Sequence, residues 1–127
     1  MTILVVDDNP LVCDVVARMI AARGHDTITA ESGEAALALS ADHEIHGAII
    51  DVDMPGIDGF ETCRALMERA SAMRRLLPVW CMTGVVRPDS SARATRAGAL
   101  GLLAKPFTMT ELFAAFEGAW AMRVAAV

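Results

Sequence analysis

Asp51 closes a short apolar run, Ala48-Ile49-Ile50, and opens the loop Val52-Asp53-Met54-Pro55-Gly56-Ile57-Asp58-Gly59. A carboxylate at the end of a buried strand, facing a loop rich in Pro and Gly, is poorly placed as a structural charge and well placed as a reacting one. Asp7-Asp8 follows Ile3-Leu4-Val5-Val6, Thr83 follows Val79-Trp80-Cys81-Met82, and Lys105 follows Leu102-Leu103-Ala104. Four apolar runs thus each deliver a polar or charged group at the same end. In a parallel sheet those ends share one rim, where open α/β sheets place ligand sites. Asp7, Asp8, Asp51 and Asp53 crowded there would repel one another and hold their pKa values up unless a cation intervened. Hard carboxylate and carbonyl oxygens, with no imidazole or thiolate nearby, suit Mg²⁺, with Mn²⁺ as the alternative.

The elements that must position these groups alternate strand and helix five times. Asn9 is placed to cap the first helix, with Pro10 at a position where a missing N–H does no harm. Val12, Val15, Val16 and Met19 follow the helical i, i+3, i+4, i+7 pattern up to Gly24. A short strand over Asp26-Thr27-Ile28-Thr29 and an Ala-rich helix over Gly33 to Ser40, capped by Ser32, come next. Asp58 starts a third helix whose inner face reads Phe60, Cys63 and Met67. Pro78 opens the fourth strand, Pro88 begins a fourth helix that stops at Gly98, and Leu102-Leu103-Ala104 is the fifth strand. Thr108-Met109-Thr110-Glu111 has capping-box spacing ahead of a last helix whose face is Leu112, Phe113, Phe116 and Trp120. Near-continuous apolar strands alternating with helices predict a parallel sheet covered on both sides.

Composition fits one such domain. The chain has 127 residues, 54% of them hydrophobic and 21% charged, which excludes disorder as its ground state. A net charge of −5 argues against a nucleic-acid-binding surface. No apolar run approaches the roughly 18 residues needed to span a bilayer, and Met1 leads straight into a strand, so a cytoplasmic protein without membrane insertion is expected. Cys13, Cys63 and Cys81 are odd in number and sit in apolar patterns, as buried free thiols do. His43 and His46 flank Glu44-Ile45 without the spacing of a helical zinc site, and a solvated loop with no function is expected there. No linker or internal repeat appears. The reading is a domain over residues 1–122 with a tail over 123–127, leaving no room for a further domain.

In order and spacing, the acidic pair, Asp51 with its Met-Pro-Gly-x-Asp-Gly tail, Thr83, Ala97-Gly98-Ala99 and Lys105-Pro106-Phe107 resemble the receiver domain of two-component response regulators. Single pieces have duller readings. Asp7 or Asp8 could cap the next helix, Thr83 could bond its own loop, Lys105 could be a solvated charge, and Asp58-Gly59 are expected to be turn and cap residues. Their joint placement over nearly the whole chain carries the resemblance. It implies a flavodoxin-like, doubly wound α/β fold, with a five-stranded parallel sheet in the order 2-1-3-4-5 and five helices on two faces.

The resemblance also implies a function: Asp51 takes a phosphoryl group from a histidine kinase or histidine phosphotransfer protein. Asp8 and Asp51 would bind the metal directly, the Asp53 backbone carbonyl would add a third oxygen, and Asp7 would act through water. Thr83 and Lys105 would contact the phosphoryl oxygens, Gly84 would leave room for them, and the Lys105-Pro106 bond would be cis. Such a domain is no enzyme toward other molecules; it promotes only its own phosphorylation and dephosphorylation. Output would pass to a protein target or a homodimer through the face of the fourth helix, fifth strand and fifth helix.

Three positions depart from the family pattern. Leu102 stands where relatives carry Tyr or Phe, which puts the usual coupling of switch to output in question. Asp53 adds a charge two residues past the acceptor. Val85, two past Thr83, offers no polar group to orient water. A pseudo-receiver, an interaction module without a phosphorylation-driven switch, is therefore the alternative. A haloacid-dehalogenase-type phosphohydrolase would share Asp51-Val52-Asp53, but that family opens on its Asp-x-Asp strand and carries its second acidic pair late, whereas Asp7-Asp8 comes first here.

Overall fold

The computed structural model describes residues 1–108, 110–114 and 116–118. Its elements run β1 (Thr2–Val6), α1 (Pro10–Ala21), β2 (Asp26–Ala30), α2 (Gly33–Asp42), β3 (Gly47–Asp51), α3 (Gly59–Ala72), β4 (Val79–Thr83), α4 (Ser90–Arg96) and β5 (Gly101–Ala104). A fifth helix, α5, is described over residues 110–114 and 116–118. All strand pairs are parallel and the sheet order is β2-β1-β3-β4-β5, as the resemblance implied. The boundary at residue 122, the tail and Trp120 lie outside the described residues.

Strand alternation sorts the core into two layers. Leu4, Val6, Ala48, Ile50, Val79 and Cys81 point to one face, where Ala36 of α2, Cys63, Leu66 and Ala70 of α3 and Ala94 of α4 cover them. Ile3, Val5, Ile49 and Met82 point to the other, under Cys13, Val16 and Ile20 of α1 and Leu112, Phe113 and Phe116 of α5. Burying each large aliphatic side chain stabilises the fold by roughly 1.5–3 kcal/mol. β1, β3 and β4 can be apolar on both faces only because both faces are covered, and this leaves their polar residues to the strand ends.

α1, α2 and α3 each start on a side-chain cap. Asn9 accepts from the Leu11 N–H, Ser32 from Ala35 and Asp58 from Glu61, at 3.0, 3.0 and 2.9 Å. Before α5 the Glu111 N–H donates to the Thr108 hydroxyl at 3.1 Å, while the Glu111 carboxylate takes that hydroxyl's proton rather than the backbone N–H of a full capping box.

Several expectations need correction. The buried stripe of α1 is Cys13, Val16 and Ile20, and Val15 is exposed. On α3 the innermost residues are Thr62, Cys63, Leu66 and Ala70; Phe60 and Met67 pack at the edge of the core. α2 runs on to Asp42, and β2 extends to Ala30. Pro78 precedes β4 and contributes only its carbonyl, which accepts from Ala48 at 3.0 Å. α4 begins at Ser90, because the turn after Pro88 closes first: the Arg87 N–H donates to the Ser90 hydroxyl at 2.9 Å. His46 is no free loop residue, since the Thr2 N–H donates to its Nδ1 at 3.0 Å and fastens the entry to β3 onto β1. The three cysteines are buried and free, as expected.

Candidate functional site

The carboxyl ends of β1, β3, β4 and β5 meet at one rim. Asp7 and Asp51 are nearly inaccessible, at 1% and 4% exposure, although both side chains are ionisable. Such groups persist in a folded protein only when partnered. Lys105, just past β5, is the partner: its Nζ lies 2.7 Å from Asp7 Oδ2 and 3.5 Å from Asp51 Oδ1. The other oxygen of Asp7 accepts from the Asn9 N–H at 2.9 Å, so both Asp7 oxygens are occupied. Asp8, next in the chain, is exposed. Asp7, Asp8 and Asp51 each bring a carboxylate oxygen within 4.8 Å of the others. This all-oxygen donor set, partly open to solvent, fits a hard divalent cation that keeps several waters.

Thr83 ends β4 and is buried. Its hydroxyl lies 2.9 Å from Asp53 Oδ2 and 3.0 Å from the Val85 carbonyl, and accepts from the Val85 N–H at 3.1 Å. The Asp53 N–H donates to Asp51 Oδ1 at 3.3 Å, and Arg87 Nη1 lies 3.8 Å from Asp53 Oδ1. Gly84 borders open space: a Cβ built there would meet no atom within 4 Å. The Lys105-Pro106 peptide is cis. Leu102 is half-buried and packs against the core face covered by α2, α3 and α4. Asp7, Asp8, Asp51, Asp53, Thr83 and Lys105 are thus brought to one rim, with Leu102 below it.

Two participants escaped sequence reasoning. Arg87 reaches Asp53 from the loop after Thr83, where no periodicity marks it. Glu34, in the first turn of α2, accepts from the Ile57 N–H at 3.2 Å and so pins the loop that follows Asp51.

Burial, and next the negative charge of Asp7, push the Asp51 carboxyl up to about 6, while the Asp53 N–H and Lys105 pull the other way. Burial alone would lower the Lys105 ammonium, but the carboxylates of Asp7 and Asp51 outweigh it and raise its pKa. Below pH about 4 the Asp51 carboxyl is protonated in both folded and unfolded chains; from there to about 6 only the folded chain keeps the proton. Metal-free protein therefore loses stability through Asp51 as pH rises across that window, by roughly 3 kcal/mol in total. Urea melts in EDTA from pH 4 to 8 should show Asp51→Asn matching wild type at the acid end and exceeding it by about that amount at neutrality. A pH-independent difference would refute the burial argument.

A model of the response regulator receiver domain matches residues 3–117. The transcriptional regulatory protein TcrA of Mycobacterium tuberculosis is 35% identical over 112 residues, 88% of this chain and 43% of its own. The heme response regulator HssR of Staphylococcus haemolyticus is 33% identical, over 86% of this chain and 46% of its own. The sensor histidine kinase AruS of Pseudomonas aeruginosa is 31% identical over 87% of this chain and 11% of its own. The chain thus spans less than half the length of these relatives. Among solved structures, the chemotaxis protein CheY4 of Vibrio cholerae superposes with a TM-score of 0.81 at 28% identity, over 91% of this chain and 95% of that one. A receiver domain protein from Methanospirillum hungatei reaches 0.88 at 19% identity, over 99% and 98%, a likeness of fold.

Proposed function

The chain belongs to the response regulator receiver domain family, and from that premise we propose that Asp51 is its phosphoacceptor and that phosphorylation switches a protein–protein contact. The observation that carries this reading is the juxtaposition of the buried Asp51 carboxylate with Asp8 on one side and the Lys105 ammonium on the other. An Asp51 oxygen attacks the phosphorus of a phosphohistidine; the O–P bond forms, the N–P bond breaks, and the imidazole nitrogen leaves with the electron pair. The chain's contribution is orientation and charge. The Asp53 N–H orients Asp51, Lys105 shifts from Asp7 toward the incoming phosphoryl oxygens, the Thr83 hydroxyl donates to them, and Gly84 leaves them room. Asp8, Asp51 and the Asp53 carbonyl would hold Mg²⁺, with Asp7 acting through water; bound there, the cation offsets charge on the phosphoryl oxygens. No substrate is turned over, so the domain is a signalling module rather than an enzyme.

The donor is a histidine kinase or phosphotransfer protein, in keeping with a relative that is itself a sensor histidine kinase. The output face is α4, β5 and α5, because the Thr83 loop leads directly into α4 and Leu102 lies on β5. Partner or dimer must prefer the phosphorylated conformation for the switch to operate. With no helix among the described residues long and apolar enough to cross a membrane, the cytoplasm is the proposed compartment.

Separating the metal from the phosphoryl contact tests the assignment. Asp8→Ala should abolish Mg²⁺ binding measured by calorimetry, because it removes the exposed carboxylate at the mouth of the cluster. Lys105→Ala should leave Mg²⁺ affinity the same or higher yet slow phosphorylation. Unchanged Mg²⁺ affinity in Asp8→Ala would refute the ligand set.

A further inference from the structure

We propose that the Asp53 side chain is a latch on Thr83: it holds the hydroxyl in the resting state and must release it before the phosphorylated state can form. The inference rests on the phosphoacceptor reading and adds to it a regulatory role for a side chain that reading leaves unused. Thr83 has one hydroxyl proton and two acceptors in reach, Asp53 Oδ2 at 2.9 Å and the Val85 carbonyl at 3.0 Å. A charged acceptor makes the stronger bond, so the proton goes to Asp53. Asp53 is itself held from two sides. Its N–H donates to the Asp51 carboxylate at 3.3 Å, and Arg87 stands 3.8 Å from its other oxygen. One residue therefore bridges the acceptor to the hydroxyl across the gap into which a phosphoryl group must enter.

The consequence is an energetic bias. A Thr83 hydroxyl bonded to Asp53 cannot also donate to a phosphoryl oxygen, and the latch carboxylate adds a negative charge beside Thr83 that an incoming phosphoryl group must meet. Arg87, 3.8 Å from Asp53 Oδ1, offsets part of that carboxylate's charge. The same hydroxyl anchors the Val85 N–H at 3.1 Å, so the latch also orders the loop between β4 and α4. Resting order and resistance to activation thus share one cause.

Beryllofluoride with Mg²⁺, a phosphoryl mimic, tests this in the whole chain. Asp53→Ala keeps the backbone carbonyl proposed for the cation but removes the latch; it should bind beryllofluoride about fivefold more tightly than wild type, with Asp53→Asn between them. In a Thr83→Val background the gain from Asp53→Ala should vanish. A gain that persists there at full size would make Asp53 a diffuse negative charge, and equal affinities of wild type and Asp53→Ala would remove any role; either overturns the latch alone. A second readout needs no mimic: amide exchange of Val85 in the resting protein should rise about fivefold in Asp53→Ala, and unchanged exchange overturns the latch. Failure of wild type to take up beryllofluoride at all, with the Val85 exchange difference present, would overturn the phosphoacceptor reading while leaving the resting contact established.

Discussion

Asp51→Asn is expected to accept no phosphoryl group, either from a phosphorylated histidine kinase or from a small donor such as acetyl phosphate, under conditions where wild type gains one in a Mg²⁺-dependent reaction. The amide nitrogen has no lone pair free to attack and the remaining carbonyl oxygen carries no full charge. No neighbour can replace it. Asp7 is the other buried carboxylate, but its oxygens are taken by Lys105 and the Asn9 N–H. Asp8 and Asp53 are exposed and lack the shielding that keeps an acyl phosphate from water. Loss of folding would not explain the result, because removing a buried charge that Asp7 repels should stabilise the metal-free chain. Intact-mass measurement decides: an equal mass gain in wild type and variant would sink the assignment of Asp51.

The alternation of strands and helices was legible because β1, β3 and β4 are apolar on both faces and interrupted by caps, a pattern that few folds share. The rim groups were legible for the same reason, since a polar residue at the end of each apolar run must project from the sheet's edge. Helix faces were less so. In α1, the stripe Val12, Val15, Val16, Met19 and the stripe Cys13, Val16, Ile20 both have helical spacing, and only the packing against Ile3, Val5 and Ile49 selects the second. Cysteine fills that stripe as a small apolar side chain, which a count of valines overlooks. The internal geometry of the site was not legible at all. Lys105 was assigned to the phosphoryl group, yet in the resting protein it sits closer to Asp7, because a buried carboxylate draws the nearest cation. The contact between Asp53 and Thr83 joins residues thirty apart through a side-chain rotamer, and no periodicity encodes that.

Two glycines beside the pocket should differ in stability when substituted. Gly59 is the first residue of α3, and its N–H reaches back to the Val52 carbonyl at 3.5 Å. A Cβ there would run into the Asp51 carbonyl oxygen and come within 2.6 Å of Val52 Cα, and both obstacles are backbone. Neither can swing aside as a side-chain tip would. Gly59→Ala must therefore push α3 off the end of β3 or displace Asp51. A cost of about 3 kcal/mol or more is expected, near the upper end for overpacking, with a fall in Tm on the order of 10 °C. Beryllofluoride affinity should drop as well, because the strand end that moves is the one bearing Asp51. Gly84 faces open space, and its substitution by Ala should leave stability within about 0.5 kcal/mol of wild type. If that space receives the phosphoryl group, Gly84→Ala should still weaken beryllofluoride binding. Thermal melts paired with beryllofluoride titrations separate the two roles: Gly59 is needed for the approach of two backbones, and Gly84 for the volume left beside Thr83. A stable, fully binding Gly59→Ala would show that α3 does not set the position of Asp51, and a fully binding Gly84→Ala would place the phosphoryl group elsewhere on the rim.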